Sequence, residues 1–178
     1  MLKADGAQPG YPRPVRVYIP VTLAILQRLV ADGSIHALSG TAFAVTPTLR
    51  ESYSEGDDDE LAEVALREAA MASLRLIAAE DGGGPPRRAV LVAEVDGVTP
   101  RPDLDDAVVR LSAPVALADA VAAYVDNASA ESAVSAAVEV VDAADLGDED
   151  AELTVGDAQD HDLAWYATQE LPFLLELL

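Results

Sequence analysis

Apolar and polar positions along the chain fall into short runs of β character and longer runs of helical period. "VRVYI" (15–19) joins β-branched and aromatic residues and stops at Pro20, which predicts a strand. "PVTLAILQRLVADG" (20–33) predicts a helix, with Pro20 in its first turn and Gly33 ending it. "TAFAV" (41–45) predicts a second strand, and "TPTLRESY" a short helix with Thr46 as N-cap and Pro47 at its first position. Over 57–80, at about 100° per residue, Leu61, Ala65, Leu66, Ala69, Ala72, Leu76 and Ile77 share half of a helical wheel. Glu60, Glu63, Arg67, Glu68 and Arg75 take the other half, and acids crowd the N-terminus, where the helix dipole favours them.

"DGGGPPRR" (81–88) is a flexible break before "AVLVAEV" (89–95), whose unbroken apolar run suits a central strand. "AVVRLS" (107–112) and "AAYVD" (122–126) predict two more strands, although a helix from 117 onward competes with the second, and "DGVTPRPDLDD" is a long polar turn before the first. "SAESAVSAAVEVVDAADL" (129–146) predicts a helix. A last helix is expected from about 160 to the end, with Leu163, Ala167, Leu171, Leu174 and Leu178 as its stripe and Pro172 kinking or splitting it.

Together these elements predict a single α+β domain over 15–178, preceded by a loose lead-in at 1–14. A mixed sheet of about five strands would carry Ala-rich helices mainly on one face. A weak internal repeat accompanies this pattern. "VRVYIPVTLA" (15–24) matches "VRLSAPVALA" (109–118) at six of ten positions, and "DDELAEVALREA" (58–69) matches "DHDLAWYATQEL" (160–171) at five of twelve. A duplication would make half-repeats of 15–96 and 107–178, each β-α-β-α, although an Ala-rich chain also produces such matches by chance.

Charge narrows the function classes. The net charge is −21, and residues 111–178 hold 15 acidic side chains with no Lys or Arg. Binding to a nucleic-acid backbone or an anionic membrane draws on Lys and Arg, so both are disfavoured. The acidity fits a partner with a basic surface, divalent cations, mimicry of nucleic acid, or a surface that keeps the chain dispersed. No apolar run approaches the roughly 20 residues of a membrane helix, and the first 14 residues contain no signal-peptide core. With no Cys, thiol catalysis and Cys-ligated zinc are excluded; a cytoplasmic location is expected.

No phosphate loop, dinucleotide fingerprint or nucleophile elbow occurs. His36 sits in a loop, "DGSIHALSG", with no partner that sequence assigns. Two features carry candidate chemistry. Asp145, Asp148, Glu149 and Asp150 are candidate ligands for Mg²⁺ or Mn²⁺, which take several carboxylate oxygens, although "DLGDEDAELTVG" lacks the spacing of an EF-hand loop. His161, Trp165 and Gln169, spaced i, i+4, i+8, would line one face of the terminal helix; with Tyr166 they form a candidate binding surface anchored by the only Trp. A Trp packed against the sheet is the plainer alternative.

"RVYIP", "TAFAVTPTLRE", "DAADLGDEDAEL" and "DHDLAWYATQELP" together resemble a family of small, acidic actinobacterial proteins with no assigned activity. The resemblance spans about 15–175; it implies a cytoplasmic bacterial protein and carries no catalytic residue across. The function expected is that of a non-enzymatic interaction or regulatory protein. A carboxylate-metal enzyme and a nucleic-acid mimic are the alternatives, and oligomeric state is open.

Overall fold

The computed structural model describes residues 14–80 and 84–178. The expected lead-in at 1–14 falls, apart from Pro14, outside the described residues. In chain order the elements are β1 (Val15–Val21), α1 (Leu23–Asp32), β2 (Ser34–Ile35), β3 (Thr41–Phe43), α2 (Pro47–Ser52), α3 (Asp58–Ala79), β4 (Ala89–Val95), β5 (Val98–Pro100), β6 (Val108–Leu111), β7 (Val115–Ala116), β8 (Ala120–Val125), α4 (Glu131–Asp145), α5 (Glu149–Gln159), β9 (Ala164–Ala167) and α6 (Leu171–Glu176). The fold is α+β.

Seven strands, rather than about five, form the main sheet in the order β5-β6-β3-β1-β4-β8-β9. Every pairing is antiparallel, so the sheet is not mixed. The two extra strands are both at the edges, where pattern is weakest. β5 lies inside the expected polar turn, and β9 inside the expected terminal helix. β2 and β7 pair separately.

Alternation along the central strands feeds two cores. Val17, Ile19 and Val21 of β1, Ala89, Leu91 and Ala93 of β4, and Ala123 and Val125 of β8 meet Leu23, Leu26 and Leu29 of α1 and Leu171 and Leu174 of α6. Tyr18, Val90, Val92 and Ala122 point the other way, onto Leu49 of α2 and Leu61, Ala65, Ala69 and Ala70 of α3. The unbroken apolar run of β4 is thereby explained, since both of its faces are covered. The bulk of the helices does sit on one face, as α4 and α5 pack on α3 through Leu74, Val134, Ala137, Val141 and Val155. The opposite face is not bare, however, because α1 and α6 close it.

Several helix starts follow from short-range chemistry. Asp57 and Glu60 make a reciprocal capping box at α3, and Thr46 caps α2 with Pro47 behind it. Pro20 corrects the expected start of α1. It belongs to β1, opposite Val90, and Thr22 is the N-cap. A proline survives in this inner strand because β1 meets β3 only at Tyr18–Phe43, leaving Pro20 unpaired on that side. Gly33 ends α1 in the left-handed conformation, as expected.

The stripe of α3 turns along its length. Leu61, Ala65 and Ala69 are buried as expected, but the second half buries Ala70, Ser73 and Leu74 instead of Ala72, Leu76 and Ile77. This half is wedged between the sheet and α4, and that neighbour was invisible to a one-sided wheel. Ser73 is fully buried and Oγ donates to the Val21 carbonyl at 2.7 Å while accepting the Ala89 N–H at 2.9 Å.

The matched segments of the expected half-repeats take different secondary structures. Residues 58–69 are helical, whereas 160–171 form a turn, β9 and a 3₁₀ turn. β1 is followed by a helix, but β6 leads into β7. The matched sequences share Ala, Leu and acid content, which both structures tolerate.

Candidate functional site

The best-formed site gathers around a buried ion pair at the end of the sheet. Arg88 precedes β4 and Asp126 follows β8, so strand pairing carried one residue further brings them together. Asp126 N–H donates to the Arg88 carbonyl at 3.0 Å, and Arg88 N–H returns to Asp126 Oδ2 at 2.8 Å. The guanidinium holds the carboxylate with two further bonds of 2.8 and 2.7 Å. Their side chains are 4% and 0% exposed. Such a pair is tolerated only because each charge is fully matched. Nη2 of Arg88 also donates to the His161 carbonyl at 2.8 Å. The pair thus ties the turn after α5 to the sheet. Beside it, Arg87 binds Glu131 at 2.7 Å and reinforces the start of α4.

A cleft of about 530 Å³ opens between α3 and this tethered turn. Leu66, Ala70, Met71 and Leu163 supply apolar lining, and Asp160, His161 and Asp162 the outer wall. Of the cations at the cleft, Arg67 faces Glu63 at 3.6 Å on the helix surface, and Arg88 is neutralised by Asp126. Asp160 and Asp162 therefore leave the cleft net negative.

The expected surface of His161, Trp165, Tyr166 and Gln169 is rearranged. They do not share a helix face. His161 is in the turn, Trp165 and Tyr166 are neighbours in β9, and Gln169 is exposed in the 3₁₀ turn Thr168–Glu170. Strand pairing with β8 overrides a helical spacing in a segment whose aromatic pair also suits a strand. Because successive strand residues point to opposite faces, Tyr166 packs toward α1 and α6. Trp165 stands opposite Tyr124 on the α3 face, 57% exposed. The alternative of a Trp buried against the sheet is thus only half met.

The candidate metal ligands do not converge. Asp145 ends α4 and is held by Arg75 through two bonds of 3.0 Å, which keeps its carboxyl below the usual aspartate range. Asp148 is the N-cap of α5, accepting the Ala151 N–H at 2.9 Å, while Glu149 and Asp150 lie exposed in its first turn. Among the described residues, no group of three or more His, Asp or Glu side chains is placed to hold a metal ion. Elsewhere on the sheet and helices, Arg16 pairs with Glu94, Arg50 with Asp58, and Arg110 donates to the Ser39 carbonyl. His36 is exposed.

Arg88 and Asp126 were the residues that pattern reading passed over. Their signal was faint but present: one charge abuts the start of an apolar strand, and an opposite charge abuts the end of another.

No helix of the described residues is long and apolar enough to cross a membrane. No curated protein and no solved structure matches the chain. One family model does match, over residues 15–175, which is nearly the whole described fold and includes Arg88, Asp126 and β9; the chain belongs to the family of unknown function DUF6912.

Proposed function

We propose that this protein is a non-enzymatic interaction module that takes hold of a partner with a basic surface through its C-terminal half. The observation that carries the reading is the placement of charge. Residues 111–178 hold 15 acidic side chains and no Lys or Arg. Among the described residues, three of these acids, Asp126, Glu131 and Asp145, are paired with Arg. Most of the rest are exposed on α4, α5 and the turn at 160–162. Leu146, Leu153 and Trp165 stand out of this acidic surface, 90%, 71% and 57% exposed. Charge attracts and orients a partner, and apolar anchors supply most of the affinity.

The test is capture from native lysate on the immobilised full chain, with Trp165→Ala as the comparison because it leaves the net charge unchanged. A saturable partner of basic surface that Trp165→Ala releases supports the reading. Retention that survives Trp165→Ala and follows ionic strength alone overturns it.

A further inference from the structure

The geometry points to β9 and the adjoining cleft as one receptor for an extended, basic segment of a partner protein. This deepens the reading above and rests on its basic partner. The segment adds to β9 as an eighth strand, covers Trp165, and places a Lys or Arg side chain in the cleft.

Several observations converge. β9 is the last strand of the main sheet, so one side of it carries no strand among the described residues. The Ala167 N–H turns away from β8 and donates to Glu170 Oε1 at 2.8 Å. In an antiparallel ladder outward and inward groups alternate, so the N–H and carbonyl of Trp165, two residues back, also face outward and can pair with an added strand. "AWYA" itself contains no Pro and no charged residue, the devices that ordinarily discourage pairing at an edge.

Next, Trp165 lies on the α3 face of the sheet, and Leu163, two residues earlier on the same face, lines the cleft. A strand laid along β9 therefore passes the mouth of the cleft. The cleft suits a long cationic side chain. Its stem would lie on Leu66, Ala70, Met71 and Leu163, and its head would reach Asp160 and Asp162. Finally, charge selects the occupant. A second copy of this chain would bring Asp160, Asp162 and Glu170 against their like, on molecules of net charge −21 each. A basic segment meets the same groups with attraction.

The probe is an eight-residue peptide of alternating Lys and Val, capped at both ends, tested against the full chain. Because Trp165 is the only tryptophan, its emission reports contact directly, and anisotropy of a labelled peptide gives affinity. Binding is expected with a blue shift of Trp165. Affinity should fall about tenfold or more when the alternate peptide amides facing β9 are N-methylated, since each N-methyl removes a backbone hydrogen bond. Asp160→Asn with Asp162→Asn should weaken binding several-fold, and a Glu–Val peptide should not bind. Equal affinity of the N-methylated peptide, or an unmoved Trp165 emission, overturns strand addition. If binding then falls with Glu149→Gln, Asp150→Asn and Glu152→Gln instead, the basic-partner reading stands and the β9 receptor does not. Complete absence of peptide binding at millimolar concentration also overturns the receptor. The N-methyl comparison leaves the protein unaltered, so no folding defect can imitate it.

Discussion

The two edges of the sheet are finished differently. β5 is three residues long, ends in Pro100, and is followed by Arg101 and Asp103 clasped to each other in solvent. Proline removes a donor there, and brevity limits what could pair. β9 has neither proline nor charge, and its anchor lies inside the protein, in the buried Arg88–Asp126 pair that grips the His161 carbonyl. One edge is closed to partners by its own residues. The other is left open at Trp165, with Glu170 taking the outward N–H of Ala167, and is held from behind. Protein edges are normally defended against pairing, and the contrast between the two edges is what the docking proposal rests on.

The largest effect should come from removing that base. Asp126→Ala leaves the Arg88 guanidinium buried and unmatched, at a cost of about 3–5 kcal/mol in urea unfolding. Replacing both, Arg88→Met with Asp126→Leu, should recover much of this loss while leaving the 160–163 turn untethered, seen as faster amide exchange around β9. A double variant as slow to exchange as the parent would break the claim that the ion pair holds the open edge.

At the closed edge the sensitive position is a turn rather than a charge. Gly97 has φ +71°, and an added Cβ would lie 2.1 Å from Ser112 Oγ. Gly97→Ala should cost about 1–2 kcal/mol, less than Asp126→Ala and without changing exchange at β9.

Smaller effects separate the two sides by pH. Burial, followed by the nearby Asp105 and Asp106 carboxylates behind β5, raises the Glu68 carboxyl above its ordinary range. A raised acid binds its proton more tightly when folded, so this group costs stability at neutral pH, and the cost is relieved as pH falls through its raised value. Asp145 is the reverse: its hydrogen bonds with Arg75 lower it. Its contribution is present above the unfolded aspartate range and is lost as pH falls through the depressed value. For a surface pair this is no more than about 1 kcal/mol. Urea midpoints across acid pH should therefore show a gain that Glu68→Gln abolishes, and at lower pH a loss that Arg75→Met abolishes.

The least effect belongs to the exposed clasp. Arg101→Gln should leave the urea midpoint unchanged within error. A loss comparable to that of Asp126→Ala would erase the contrast between the edges.

Much of the sheet and of the helix caps was legible in the sequence. Local rules suffice where both signal and response are local: Thr46 and Pro47 start α2, the acids at 57–60 start α3, Gly33 stops α1, and the apolar run 89–95 becomes the inner strand β4. The arrangement of the candidate surface was not legible: Trp165 is exposed, but in β9, and His161 and Gln169 are not arrayed with it on a helix.

By itself the sequence determined the α+β class, the inner strands, helices α1, α3 and α4 and the acidity of the second half, because hydrophobic period, capping chemistry and charge act over a few residues. Only the tertiary structure decided what 160–170 would be. A segment of Ala, Leu, Trp and Tyr can fold as helix or strand at similar local cost. The free edge of β8 offered it a ladder of hydrogen bonds, and Arg88, 73 residues from His161, fixed the turn that leads into it. Contacts that distant leave no period in the sequence, so the open edge and its cleft appear only once the chain is folded.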